Sequence, residues 1–323
     1  MKEFVINKND AGQRLDRFVS KAVPLLPASL LQKYVRLKRI KINGKGAKRD
    51  TRLLEGDTVQ LYINDEFFDA PAPENVYLTV ADPGLDIVYE DENILLVNKA
   101  PGVLCHETNG WSGATLIARI QAYLYQKREW RPREENSFTP ALCNRIDRNT
   151  GGLVIAAKNA EALRIMNEKI KEREIEKYYL CIVTGSPRPS EGTLTDYLFK
   201  DAVKNQVFVK KTPEPGARTA VTKYRTLARR DGLSLLECEL LTGRTHQIRA
   251  QLSSIGCPLL GDGKYGSEKL RRRYGEKGQA LWSYRLVFSF KTDAGALQYL
   301  KNREISVKNV PFVQKYFSSV EFH

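Results

Sequence analysis

With 323 residues and a formal net charge of +14, the chain is long enough for a well-buried core plus a smaller domain, and its charge suits an anionic partner such as nucleic acid. It contains no run of about 18 apolar residues and no signal-like apolar N-terminus, which argues against membrane association and for a soluble protein of the cytoplasm. The five cysteines are odd in number and dispersed in apolar runs, and only three histidines occur, so disulfides, a zinc site and a histidine-rich metal centre are not expected.

Residues 1–64 hold 14 Lys and Arg against 6 Asp and Glu, more than half of the net charge. Leu15, Phe18, Val19 and Ala22 recur at helical spacing and predict an amphipathic helix that stops before Pro24. A second helix is expected from about Ser29, with Leu30, Leu31, Tyr34 and Val35 inward and Lys33, Arg36 and Lys38 exposed. Ile40-Lys41-Ile42 then reads as a strand entering an Asn43-Gly44 turn, and Thr58 to Ile63 as the strand that closes the module. Arg14-Leu15-Asp16-Arg17-Phe18, Arg36 and Ile42-Asn43-Gly44-Lys45 resemble the small RNA-binding domain named after small-subunit ribosomal protein S-four. Two short helices and a turn would present Arg17, Lys33, Arg36, Lys45 and Lys48 to phosphates, giving affinity but little sequence information. A solvated charged face is the competing reading.

From Asn64 to Glu92 the composition reverses to nine acids and no Lys or Arg. Pro71 and Pro73 stiffen this stretch, so the basic module is expected to be tethered rather than tightly packed. The chain divides into a basic RNA-binding domain at 1–64, an acidic linker at 65–83 and a catalytic domain at 84–323. In the last, candidate strands run over Ile94–Val97, Leu153–Ala157, Tyr178–Val183, Ala220–Leu227, Leu233–Leu241 and Leu286–Phe290, and Asn159 caps a helix over Ala160–Lys171. Short loops between neighbouring strands predict an α+β fold, a mixed and largely antiparallel sheet with packed helices, preceded by the small α/β domain. Lys269-Leu270-Arg271-Arg272-Arg273 reads as an exposed basic loop.

Four segments carry candidate chemistry. In Cys143-Asn144-Arg145-Ile146-Asp147-Arg148-Asn149-Thr150-Gly151-Gly152 an acid stands at the edge of an apolar strand. Its two arginines would keep Asp147 ionised, hence a nucleophile or base rather than a proton donor, although a structural Asp–Arg pair closing a turn shows the same pattern. Asn98-Lys99-Ala100-Pro101-Gly102 leaves a lysine at a strand tip. Glu176 to Gly185 alternates so that Lys177 and Tyr179 share one face and Tyr178 takes the other. Thr242-Gly243-Arg244-Thr245-His246-Gln247-Ile248-Arg249 opens a helix with Ile248, Leu252 and Ile255 inward and Gly256 at its end, placing Arg244, His246 and Arg249 at an anion-binding first turn.

Together with Leu259-Leu260-Gly261-Asp262-Gly263-Lys264-Tyr265-Gly266, these segments resemble the RluA-like RNA pseudouridine synthases over essentially all of residues 84–323. The family's loop usually reads His-Arg-Leu-Asp followed by Thr-Ser-Gly. Asn144, Ile146 and Gly151 depart from it, and Lys99-Ala100-Pro101-Gly102 displaces the usual proline by one position. The resemblance implies that Asp147 is the catalytic aspartate, Tyr179 the ring that stacks on the target base and Arg249 the partner that keeps the carboxylate ionised. Lys99, Arg145, Arg148, Arg244 and His246 become RNA contacts, Arg145 and Arg244 foremost.

The implied activity is isomerisation of uridine in RNA, large-subunit ribosomal RNA first and transfer RNA as the alternative, by a monomer that uses no metal or other cofactor. One ionised carboxylate serves, as nucleophile at carbon 1′ of the ribose or base at carbon 2′, and the target base must leave its stack to be reached. Two rivals are a base-excising glycosylase, which would release a free base, and a catalytically silent RNA-binding or ribosome-assembly factor, which would usually have lost the aspartate.

Overall fold

The computed structural model of the chain describes every residue except 69–75, 108–113, 202–205, 267, 269–273, 277 and 321–323. Pro71, Pro73 and the basic run Lys269 to Arg273 thus lie outside the described residues. The backbone forms two units, one of Met1–Pro83, Ile117–Ala141 and Ala157–Arg164, the other of Gly84–Leu116, Leu142–Ala156 and Ile165–His323. Among the described residues no helix is long and apolar enough to cross a membrane.

The first unit begins with β1 (Lys2–Val5), α1 (Leu15–Ala22), α2 (Ala28–Arg36), β2 (Ile40–Ile42), β3 (Lys45–Gly46) and β4 (Thr58–Leu61). Its strands pair antiparallel in the order β1-β4-β2-β3. The apolar spacing explains the core: Leu15, Phe18 and Val19 of α1 and Leu31 and Tyr34 of α2 are buried with Ile40, Val59 and Leu61. Asn43 and Gly44 take φ of 49° and 76°, the double left-handed geometry of a tight hairpin turn. Arg17, Lys33, Arg36, Lys45 and Lys48 are exposed.

The basic module is not simply tethered. Asp10 is fully buried, and its carboxylate accepts hydrogen bonds from Asn136 Nδ2 at 2.7 Å and Ser137 Oγ at 2.6 Å. Gln13 Nε2 in turn donates to Ser137 Oγ at 2.9 Å. A carboxylate withdrawn from water requires such donors, and they come from a segment far along the chain that groups with Met1–Pro83.

The remaining elements are β5 (Ile87–Glu90), β6 (Ile94–Lys99), α3 (Leu116–Gln126), β7 (Ala141–Leu142), β8 (Gly151–Ala157), α4 (Ala160–Lys171), β9 (Ile175–Thr184), β10 (Glu191–Asp201), β11 (Gln206–Lys210), β12 (Arg218–Arg230), β13 (Leu233–Leu240), α5 (Gln247–Ser254), β14 (Leu281–Phe288), β15 (Glu304–Ser306) and α6 (Pro311–Tyr316). The second unit is built on a sheet in the order β11-β10-β12-β13-β9-β14-β8-β6-β5. Pairing is antiparallel from β11 to β14, and β14 runs parallel to β8. The fold is therefore α+β with a mixed, largely antiparallel sheet. Asn159 Oδ1 accepts the Ala162 amide at 2.8 Å and caps α4 as expected.

Two parts of the sheet differ from the sequence reading. β14 starts at Leu281, not Leu286, because its register slips between Ser283 and Arg285 and the bulge interrupts the alternation. β10 and β11, absent from the sequence reading, bury few side chains.

The parallel contact of β8 with β14 accounts for Gly151-Gly152. A Cβ on Gly151 would collide with the Trp282 ring, and one on Gly152, at φ +114°, with the Ser283 backbone. Gly152→Ala is expected to cost about 2–4 kcal/mol of stability through overpacking and backbone strain. Denaturant titration measures this, and an unchanged midpoint would contradict the close approach.

Candidate active site

The Asp147 loop is tied down residue by residue. Thr150 N–H donates to the Asp147 carbonyl at 3.1 Å and closes the turn into β8. Asn144 Oδ1 accepts the Ile155 amide at 2.7 Å, while Cys143 N–H donates to the Ile155 carbonyl at 2.7 Å. Ile146 packs against the cluster of Tyr179, Ile248, Leu252 and Leu281. The departures from the family's loop at 144 and 146 thus keep it fastened to strand and core.

Lys99 requires a correction. It is 2% exposed, and its ammonium donates to the carbonyls of Ala100, Val103 and Arg148 at 3.0, 2.9 and 3.0 Å. Burial pushes its pKa down to about 8, yet three N–H donors meet three acceptors. Lys99 points inward and braces the loop instead of presenting its charge to RNA.

Arg249 lies in the first turn of α5. That helix begins at Gln247, later than expected, because Gln247 Oε1 accepts both the Thr242 hydroxyl at 2.8 Å and the Arg244 amide at 3.0 Å and holds Thr242 to His246 as a loop. At the other end Gly256, φ 79°, and Cys257 donate to the Ser253 and Leu252 carbonyls, the left-handed stop that the sequence signalled.

The Arg249 guanidinium meets two carboxylates. Nη1 donates to Asp147 Oδ2 at 3.0 Å, while Nε and Nη2 donate to Asp262 Oδ2 and Oδ1 at 2.8 and 3.0 Å. Asp262, buried, also accepts the Lys264 and Tyr265 amides at 2.8 and 3.1 Å. Burial works against its charge, but Arg249 and these amides hold its pKa below the usual carboxylate range. Burial likewise opposes the charge on Arg249, and Asp262 with Asp147 outweighs it and raises the pKa. In the sequence, Asp262 is marked only by its place in a segment that resembles the family's.

A cleft of about 660 Å³ opens at Asp147, lined by Cys105, Arg145, Tyr179, Arg244 and His246 among others. That volume is of the size that holds a small ligand. Tyr179 packs on the α5 side of the sheet and Tyr178 on the other, where Arg285 Cζ lies 4.1 Å from its ring centroid. Burial pushes the Tyr179 hydroxyl up to about 12, so the ring is neutral. Arg145 and Arg148 are exposed, and Arg148 Nε donates to the Gly102 carbonyl at 3.2 Å. The buried cation on Asp147 is therefore Arg249 rather than either loop arginine. Arg244 Nε donates to the Thr219 carbonyl at 3.0 Å. Arg17, Lys33, Arg36 and Lys45 belong to the first unit.

Burial pushes His246 down to about 4, against the pull of Asp147, whose Oδ2 lies 3.8 Å from Nε2. An unfolded chain binds a proton on this ring near pH 6.5, whereas the folded chain resists it to about pH 4. The contribution of this group to stability is therefore intact above pH 6.5 and is lost as pH falls from there toward 4. Ring-proton NMR is expected to show a neutral His246 at about pH 5.5, and a midpoint at or above the ordinary histidine value would contradict its burial.

The sequence pattern of the family described as RNA pseudouridylate synthase matches residues 93–254. An uncharacterized RNA pseudouridine synthase of Mycoplasma genitalium is 33% identical over 292 residues, covering 88% of each chain. Ribosomal large subunit pseudouridine synthase C of Vibrio parahaemolyticus is 30% identical, over 84% of this chain and 82% of that relative. The solved structure of human RNA pseudouridylate synthase domain containing 1 is similar with a TM-score of 0.56 and 22% identity, over 78% of this chain and 92% of that one, a likeness of fold. The chain belongs to the RNA pseudouridylate synthase family and is an isomerase that acts on RNA.

Proposed function

We propose that the protein converts uridine to pseudouridine in large-subunit ribosomal RNA with Asp147 as the reacting group. The observation that carries this reading is a carboxylate 27% exposed in a cleft and held by a buried arginine. Oδ2 takes the Arg249 bond, and Oδ1 has no hydrogen-bond partner among the described residues. Oδ1 is then the atom that attacks carbon 1′ or removes the proton at carbon 2′. The isomerisation breaks the bond from carbon 1′ to N1, forms one to carbon 5, and moves a proton from carbon 5 to N1. Nothing is oxidised or reduced overall, so the chemistry calls for no redox cofactor.

Arg249 holds the Asp147 carboxylate in place, and the Tyr179 ring offers a face to the flipped uracil. Arg145, Arg148, Arg244 and His246 bind the surrounding RNA. All these groups lie on one chain, which supports a monomer as the working unit. The Vibrio relative's name supports large-subunit ribosomal RNA as the substrate.

Asp147→Asn is expected to abolish pseudouridine formation while RNA binding survives. Turnover within about tenfold of wild type, roughly 1.4 kcal/mol in the barrier, would sink the assignment. Mapping pseudouridines in cells with and without the protein identifies the substrate: sites lost from large-subunit ribosomal RNA support the reading, and sites lost only from transfer RNA replace it.

The S-four-like module at residues 1–64 contributes affinity through exposed cations. Combining Lys33→Ala, Arg36→Ala and Lys45→Ala should weaken RNA binding and reduce its salt slope by about 2, given roughly 0.7–0.9 per phosphate contact. Single-turnover chemistry at saturating RNA should not change. An unaltered salt slope would remove these residues from the RNA interface.

A further inference from the structure

His246 stands immediately before α5 with a left-handed backbone, φ 53°. Its Nδ1 lies 2.9 Å from the Tyr265 hydroxyl oxygen, and the two rings meet edge to face with centroids 5.6 Å apart. The same oxygen accepts the Val207 amide at 2.9 Å. A phenol carries one proton, and a backbone amide can only donate. The Tyr265 proton therefore needs another acceptor, and Nδ1 is the one in reach among the described residues.

Tyr265 is itself held in place. Arg249 Cζ lies 5.2 Å from its ring centroid, its amide donates to Asp262, and its carbonyl accepts the Ser253 hydroxyl at 2.9 Å. The phenol cannot swing away without disturbing the elements that carry Arg249.

We propose that Tyr265 is a positioning residue that fixes His246 as the Nε2–H tautomer, so that a neutral N–H donor, not an imidazolium, faces the cleft beside Asp147. Nε2 is 3.8 Å from Asp147 Oδ2, beyond hydrogen-bond length, and that oxygen is already engaged by Arg249. The Nε2–H is thus left for an oxygen of the nucleotide bound at Asp147. A second cation here would draw the carboxylate further from reactivity. A neutral donor orients the nucleotide without doing so. The role in turnover rests on the reading of Asp147 as the reacting group; the tautomer does not.

Nitrogen-15 NMR of the full-length, histidine-labelled protein reads the tautomer without RNA. At neutral pH the wild type is expected to show a protonated Nε2 and a bare Nδ1. Tyr265→Phe keeps the ring beside Arg249 but removes the hydroxyl; it should mix the two tautomers and lower kcat/KM on RNA about tenfold, equivalent to roughly 1.4 kcal/mol. His246→Gln, whose amide nitrogen stands near the place of Nε2, should retain clearly more activity than His246→Asn, which replaces Nδ1. A wild-type ring protonated on Nδ1 or on both nitrogens overturns the proposal. So does an unchanged tautomer or unchanged turnover in Tyr265→Phe, or a His246→Asn as active as His246→Gln. Activity of Asp147→Asn is read separately, so failure of the Asp147 assignment and failure of the tautomer are told apart.

Discussion

The guanidinium of Arg249 is the constraint around which the site is built. Its planar fork reaches Asp262 with two nitrogens and Asp147 with the third, a geometry that lysine cannot reproduce. Buried charges are tolerated when their remaining hydrogen bonds are met, and Asp262 meets its own with two backbone amides. One cation shared by two carboxylates leaves a net negative charge on the trio. Asp262 is buried and Asp147 is partly open, so the open end is where that charge is available to a substrate.

The fold holds both ends of this arrangement. On the Arg249 side, a buried chain of side chains runs from Thr242 through Gln247, Thr222 and Gln251 to Asp196, joining α5 to β12 and β10. On the Asp147 side, Lys99 gathers three carbonyls and Asn144 clips the loop to β8. The braces hold the backbones that carry Asp147 and Arg249, at the tolerance of about an ångström that catalysis demands.

The elements with clear apolar periodicity were legible in the sequence: α1 and its Leu15, Phe18 and Val19 face, the Ala160–Lys171 helix with its Asn159 cap, and the opposite facing of Tyr178 and Tyr179. The meeting of Asp147 with Arg249 was expected from the resemblance and from the need for a fixed cation. Lys99 was misread because its acceptors are backbone carbonyls, which leave no trace in residue type. Asp262 was passed over because burial gives a carboxylate its anchoring role, and burial of a polar residue is not encoded in a pattern. Gly151 departs from the family's usual loop; in space it is the smaller half of a size match with Trp282.

The bonds of Asp10 also impose an order on biosynthesis. Leu15, Phe18, Val59 and Leu61 belong to the first part of the chain to leave the ribosome and can begin to bury one another early. Asn136 and Ser137, which satisfy the Asp10 carboxylate, follow more than a hundred residues later. Until they emerge, water must solvate that acid, and the seam it occupies stays open. A nascent chain stalled before residue 136 therefore holds a nearly finished apolar core beside an unfinished polar seam, exposed to chaperones and proteases for the time that the intervening codons take to translate.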